Sequence, residues 1–181
     1  MVAGDRGCLA GGCEKGGAQV ARSYRGRLGS RYHLAVDAQG VPLAVALSAG
    51  NEHERWQLLP LVDQLLAQGM RPLQLWADRG YDAEALREQL RARAIEPVIS
   101  KRRRPGQAAA ADSRQVWRGR KRYPKTPDPN ARKRWPVERT NAWLHNWRRI
   151  STRWERRPEL YLALIQLACT MIIDRLLDHS L

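Results

Sequence analysis

Two carboxylates stand where chemistry could be done. Asp78 closes the short apolar run Pro72-Leu73-Gln74-Leu75-Trp76-Ala77 and is followed by Arg79-Gly80-Tyr81. The run reads as a buried strand. Ligand sites in open α/β sheets gather at the carboxyl ends of strands, so a carboxylate there is placed to work. Gly80 permits a turn that aims Asp78 outward, although the same position equally suits an Asp that caps a strand-to-helix turn. The second carboxylate, Glu138, falls in the first turn of a helix expected to begin at Pro136 and run to about Ile150. Glu138, Asn141, His145, Arg148 and Arg149 recur at spacings of three and four and so share a face. A carboxylate heading a stripe of Asn, His and Arg is what a metal-and-phosphate site needs. A solvated face, with Glu138 favoured only by the helix dipole, is the alternative.

The charge distribution points to a polyanion. The chain of 181 residues carries a formal charge of +14. Between Ile99 and Arg157 there are 19 Lys plus Arg against 4 Asp plus Glu, so the whole excess sits in that stretch, together with five of the seven Trp. Phosphate contacts release counterions and aromatic faces stack on bases, which suits nucleic acid; a solvated basic loop is the alternative.

The elements that must position these residues follow from periodicity. Residues 1–30 read as an irregular, flexible leader in which Gly11, Gly12, Gly16 and Gly17 bracket Cys13. No Gly-Lys-Ser/Thr closes a phosphate loop there, and Cys8 and Cys13 do not have zinc spacing. Tyr32, Leu34 and Val36 alternate, as do Val41, Leu43, Val45 and Leu47, predicting a hairpin that turns on Asp37 and Gly40. A helix over 55–68 should bury Leu58, Leu61, Val62 and Leu65, and a helix capped by Asp82 should bury Leu86 and Leu90. Glu96–Ile99 reads as a strand. Residues 100–133 read as a basic loop without apolar period. The last helix, from Pro158, is expected to use Leu160, Leu164, Leu167, Met171 and Ile172 as its core face. The pattern predicts an α/β fold with a mixed sheet covered by helices. The run Leu160–Ile173 falls short of the ~20 residues of a membrane span, no signal peptide is visible, and three Cys make no disulfide framework, so a cytoplasmic protein is expected.

Ala77-Asp78-Arg79-Gly80-Tyr81-Asp82, followed about sixty positions later by Arg134-Trp135-Pro136-Val137-Glu138-Arg139-Thr140-Asn141, resembles the DDE transposases of bacterial insertion sequences, in particular the fifth insertion-sequence family. Gly29-Ser30-Arg31-Tyr32-His33, Gly50-Asn51-Glu52-His53 and the tail Arg148-Arg149-Ile150 with Arg153-Trp154-Glu155 are similar as well. The resemblance spans about residues 25 to 177. It implies a ribonuclease-H-like fold in which carboxylates hold Mg²⁺ or Mn²⁺, with Asp78 as the second acid and Glu138 as the third. Both are then catalytic residues and metal ligands. The first acid belongs on a strand upstream of the hairpin. Only Asp5 stands there, in Met1-Val2-Ala3-Gly4-Asp5-Arg6-Gly7, so the first strand is expected to be missing and 31–178 to form a partial catalytic domain.

On this resemblance the function is DNA transposition: metal-dependent cleavage and transfer of strands at insertion-sequence ends, by a truncated and inactive copy. A non-enzymatic DNA-binding fragment, or an inhibitor of an intact transposase, is the alternative. The expected partners are terminal-repeat and target DNA, held by Lys101, Arg102, Arg103, Arg104, Arg134, Arg139, His145, Arg148 and Arg149. A homo-oligomer or association with an intact transposase is also expected, and no membrane.

Overall fold

Alternation along the hairpin sets the two faces of the sheet. The computed structural model describes residues 2–7, 16–23, 26–101 and 130–178. Leu28–Val36 (β3) and Pro42–Ala49 (β4) pair antiparallel as the sequence predicts. Tyr32, Leu34 and Val36 join one core, while Ala35, Ala44 and Ala46 join another across the sheet. Asp37 Oδ1 accepts from the N–H groups of Gln39 (2.9 Å) and Val41 (2.8 Å), and Gly40 takes a φ of +85°. Asp37 is thus a turn residue.

The leader expectation is corrected by two strands. Val2–Gly7 forms β1 and Ala21–Arg22 forms β2. β1 is central in the sheet. It runs antiparallel to β3, with Asp5 opposite His33, and parallel to Gln74–Ala77 (β5), with Ala3 opposite Ala77. The strand expected to be missing is therefore present. Its sequence conceals it because Val2 is its only β-branched residue and two of its six residues are Gly; ladder bonds on both edges, not propensity, fix it. Residues 16–23 are anchored too. The buried guanidinium of Arg153 donates to Ala18 O (3.0 Å), to Arg156 O (3.1 Å) and to Ser30 Oγ.

Glu96–Ile99 (β6) adds in parallel to β5, giving the order β4–β3–β1–β5–β6, with β2 on the first residues of β3. Arg55–Ala67 (α1) and Glu84–Ala92 (α2) lie on one face. There Leu58, Val62, Leu86 and Leu90 close over Leu75 and Ala77. Asp82 does not cap α2. Ala83 holds that position, and Asp82 instead pairs with buried Arg87 at 2.6 Å.

Ala131–His145 (α3), the short Arg148–Ser151 (α4) and Pro158–Asp178 (α5) occupy the opposite face. α3 starts five residues ahead of Pro136, so the basic loop ends earlier than expected and Glu138 lies in mid-helix rather than in the first turn. A proline one turn in removes only the bond to Arg132 O, and Arg132 is exposed. The core face of α5 is Tyr161, Ile165, Ala168, Cys169 and Ile172, whereas Leu160, Leu167 and Met171 are exposed. A helix this apolar all round has no strong period to read. Tyr161 decides the side, because its hydroxyl donates to Ile150 O at 2.7 Å and its ring lies under Arg153. By length and composition α5 could cross a membrane; here it packs against β4.

Candidate active site

Asp78 is both a cap and an exposed carboxylate. It leaves the end of β5 with an extended backbone, and its Oδ1 accepts the Arg79 N–H at 2.6 Å, starting a single 3-10 turn over Arg79–Tyr81. Tyr81 is fully buried and anchors that turn. The Asp78 side chain remains 56% exposed, and Arg134 Nη1 lies 3.1 Å from it. Arg134 is on α3, one helical turn before Glu138, so this ion pair joins the strand end to the helix that carries the second carboxylate. Glu138 itself is exposed.

The opposite side of the Asp78 turn rests on the start of α1. Glu54 Oε2 accepts from Arg31 Nη1 at 2.9 Å, and His53 Nδ1 is 3.8 Å away. Burial pushes the Glu54 carboxyl up, but a bond from its own backbone N–H, His53 and Arg31 together hold it below the usual carboxylate range. Glu54 directly follows the Gly50-Asn51-Glu52-His53 stretch, at a position where the resembling family more often has Asp, and its bond to Arg31 gives it a supporting place beside the Asp78 turn.

α3 is also clamped to the hairpin. Thr140 Oγ1 donates to Gly40 O at 2.6 Å, and Arg139 Nη2 donates to Gln39 O. The Arg139 guanidinium lies 4.8 Å from the ring centres of both Trp135 and Trp143. It is thus engaged within the protein rather than standing free for phosphate.

The expected polar stripe is divided. Asn141 is buried, and its Oδ1 has no hydrogen-bond partner among the described residues. His145 is half-buried, with its ring 6.4 Å from Tyr32. Arg148 and Arg149 are exposed but belong to α4, beyond a break at Trp147, and Arg149 pairs with Glu155 at 2.6 Å. Lys101 is exposed just past β6. Arg102, Arg103 and Arg104 lie outside the described residues. Asn130 Nδ2 donates to Ser100 Oγ at 3.2 Å, so the chain leaves β6 and returns to α3 at one place.

The oxygen donors here have the chemistry of a hard-cation site. Asp78 is half-exposed and Glu138 is exposed, both accessible, and the Oδ1 of Asn141, without a partner among the described residues, lies three residues beyond Glu138 on α3. Among the described residues, no group of three or more His, Cys, Asp or Glu side chains comes together as a metal cluster.

The Transposase DDE domain family matches residues 10–173 of the chain. A transposase of insertion sequence element IS402 from Burkholderia cepacia is 42% identical over 155 residues, covering 82% of this chain. The chain spans 64% of the length of that relative.

Proposed function

The chain belongs to the Transposase DDE domain family, and we propose that it acts on DNA phosphodiesters, cleaving and transferring strands at the ends of an insertion sequence. The observation that carries this reading is the Asp78–Arg134 ion pair, which sets one acid at a strand end beside the helix that presents Glu138. Asp78 and Glu138 would hold Mg²⁺ or Mn²⁺. Asp5 is the first acid in this reading, since β1 runs beside β5 and its register reaches the end that carries Asp78. The strand order, with β1 central and the hairpin at one edge, supports the ribonuclease-H-like reading. It also removes the ground for expecting a dead fragment, which was a missing first strand.

A divalent cation bound there would activate the attacking oxygen and offset charge on the reacting phosphate. The chain's own residues do the rest. Arg134 pairs with Asp78 at 3.1 Å, which fixes that carboxylate at the strand end and puts a guanidinium beside any phosphate bound there. Arg148 and the segment from Lys101 onward lend positive charge to the DNA backbone, and Arg139 and Thr140 keep α3 in register with the sheet.

The test is nicking of labelled terminal-repeat DNA in Mg²⁺, with DNA affinity measured in parallel. Asp5→Ala, Asp78→Ala and Glu138→Ala should each abolish nicking and leave binding within a few fold. Nicking that survives Asp78→Ala and Glu138→Ala would remove both from the reaction.

A further inference from the structure

α5 is apolar over more of its surface than the fold uses. Only 28% of its most apolar stretch is buried within the chain. The buried face is Tyr161, Ile165, Ala168, Cys169 and Ile172. Beside it runs a second row, Leu160, Leu164, Leu167 and Met171. Leu160 is 52% exposed, Leu167 56% and Met171 40%, while Leu164 is half-buried. Exposed apolar residues are ordinary singly, but a continuous row of them marks a surface that meets something.

The spacing is that of a helix-pairing seam. Steps of four, three and four follow the repeat of about 3.5 residues by which two helices interlock. The row is also complementary to itself. In an antiparallel pair of α5 helices centred between Ile165 and Gln166, Leu164 meets Leu167 of the second copy and Leu160 meets its Met171. The next layer outwards sets Arg157 against Asp174 of the second copy, once at each end. Both residues are exposed, and Arg157 stands at the helix start, where its carbonyl accepts the Tyr161 N–H at 3.4 Å. A parallel pair would instead set Arg157 against Arg157 and Asp174 against Asp174. Unlike charges therefore close the antiparallel arrangement, and like charges oppose the parallel one.

We propose that this row of α5 is a self-association surface, on which a second copy of the chain packs its own α5 antiparallel. The inference stands apart from the DNA reading, because it uses none of the residues assigned to that chemistry. The seam lies at the hairpin edge of the sheet. α5 packs against β4, and β3 and β1 separate β4 from the strand that ends at Asp78.

The experiment is sedimentation velocity of the full chain in about 0.15 M salt, from about 1 to about 100 μM. The 20.7 kDa chain should convert reversibly to twice that mass as concentration rises. Leu167→Glu, at an exposed position where the fold tolerates it, should stay monomeric throughout with an unchanged circular dichroism spectrum. Arg157→Glu and Asp174→Arg should each weaken the dimer about tenfold, since two symmetry-related pairs turn from attractive to repulsive. An equimolar mixture of those two variants should regain the affinity of the unmodified chain, because the mixed dimer again joins opposite charges at both ends. A chain monomeric at the highest concentration, a dimer that survives Leu167→Glu, or a mixture no tighter than its components overturns the proposal. A monomer that floats with phosphatidylcholine vesicles in place of dimerising overturns it in favour of a lipid surface.

Discussion

Gly80 lies so close to Glu54 that a Cβ at residue 80 would stand 2.3 Å from Glu54 Oε1. The other oxygen of the same carboxylate is held by Arg31, which is nearly buried. Gly80 is two residues past Asp78. The turn that presents Asp78 is therefore seated between the Arg31–Glu54 pair on one side of the sheet and Arg134 on the other.

Gly80→Ala should accordingly displace Glu54, loosen its bond to Arg31 and cost about 1–2 kcal/mol of stability, in the range of other small overpacking changes. Nicking should fall further than stability, because the displaced turn carries Asp78. In the double variant Glu54→Ala/Gly80→Ala the added methyl has room, so the stability costs should be non-additive. Urea melts of the four proteins measure this, and strictly additive costs would show that the two residues do not press on each other.

Much of this arrangement is legible in the sequence. The hairpin, the helix over 55–68 with Leu58, Leu61, Val62 and Leu65 inward, and the Glu96–Ile99 strand all follow from period and punctuation. So did Asp78 at a strand end. β1 was not legible, since its pairing partners are far away in sequence and its own residues have little strand propensity. The inner face of α5 is hidden from the sequence for a related reason: where every side of a helix is apolar, one hydroxyl bond from Tyr161 settles the orientation. The seat beneath Gly80 depends on a contact between residues 26 positions apart, which no local pattern announces.

His33 gives a pH dependence to stability. It is fully buried in β3, and its Nε2 is 2.8 Å from Ser48 Oγ. Burial, reinforced by nearby Arg31 and opposed by Glu54, pushes its pKa from 6.5 down to about 4. The folded protein thus keeps His33 neutral while the unfolded chain protonates it near pH 6.5. Protons bind the unfolded state more tightly, so stability is full above about pH 6.5 and is lost as pH falls towards 4. Between pH 7.5 and pH 5 the loss should be about 2 kcal/mol. Urea midpoints at the two pH values should show it, and His33→Gln should remove that part of the slope. An unchanged slope in the variant would assign the pH dependence to other groups.

DNA affinity should fall steeply with salt and show little sequence preference, because it is carried by phosphate neutralisation. Each phosphate contact contributes about 0.9 to the slope of log K against log salt on duplex DNA. Replacing Lys101, Arg102, Arg103 and Arg104 together by Ala should therefore flatten that slope by about 2–4 if the run lies on the backbone. A slope equal to that of the unmodified chain would make the run a solvated segment.

The last expectation concerns β1, on which both the fold and the proposed chemistry depend. With β1 between β3 and β5, the sheet has an antiparallel half, β1–β3–β4, and a parallel half, β1–β5–β6, that share this one strand. Removing residues 1–7 should do more than delete a candidate acid. It exposes the inner edges of both β3 and β5 and leaves their ladder groups unpaired where α3 covers them, and buried unpaired backbone groups are costly. The shortened chain should lose its cooperative thermal transition by circular dichroism and tend to aggregate. Asp5→Asn, which keeps the backbone of β1, should retain the transition within a few degrees and lose only nicking. A shortened chain that melts cooperatively near the full-length temperature would show that the two halves of the sheet stand without β1.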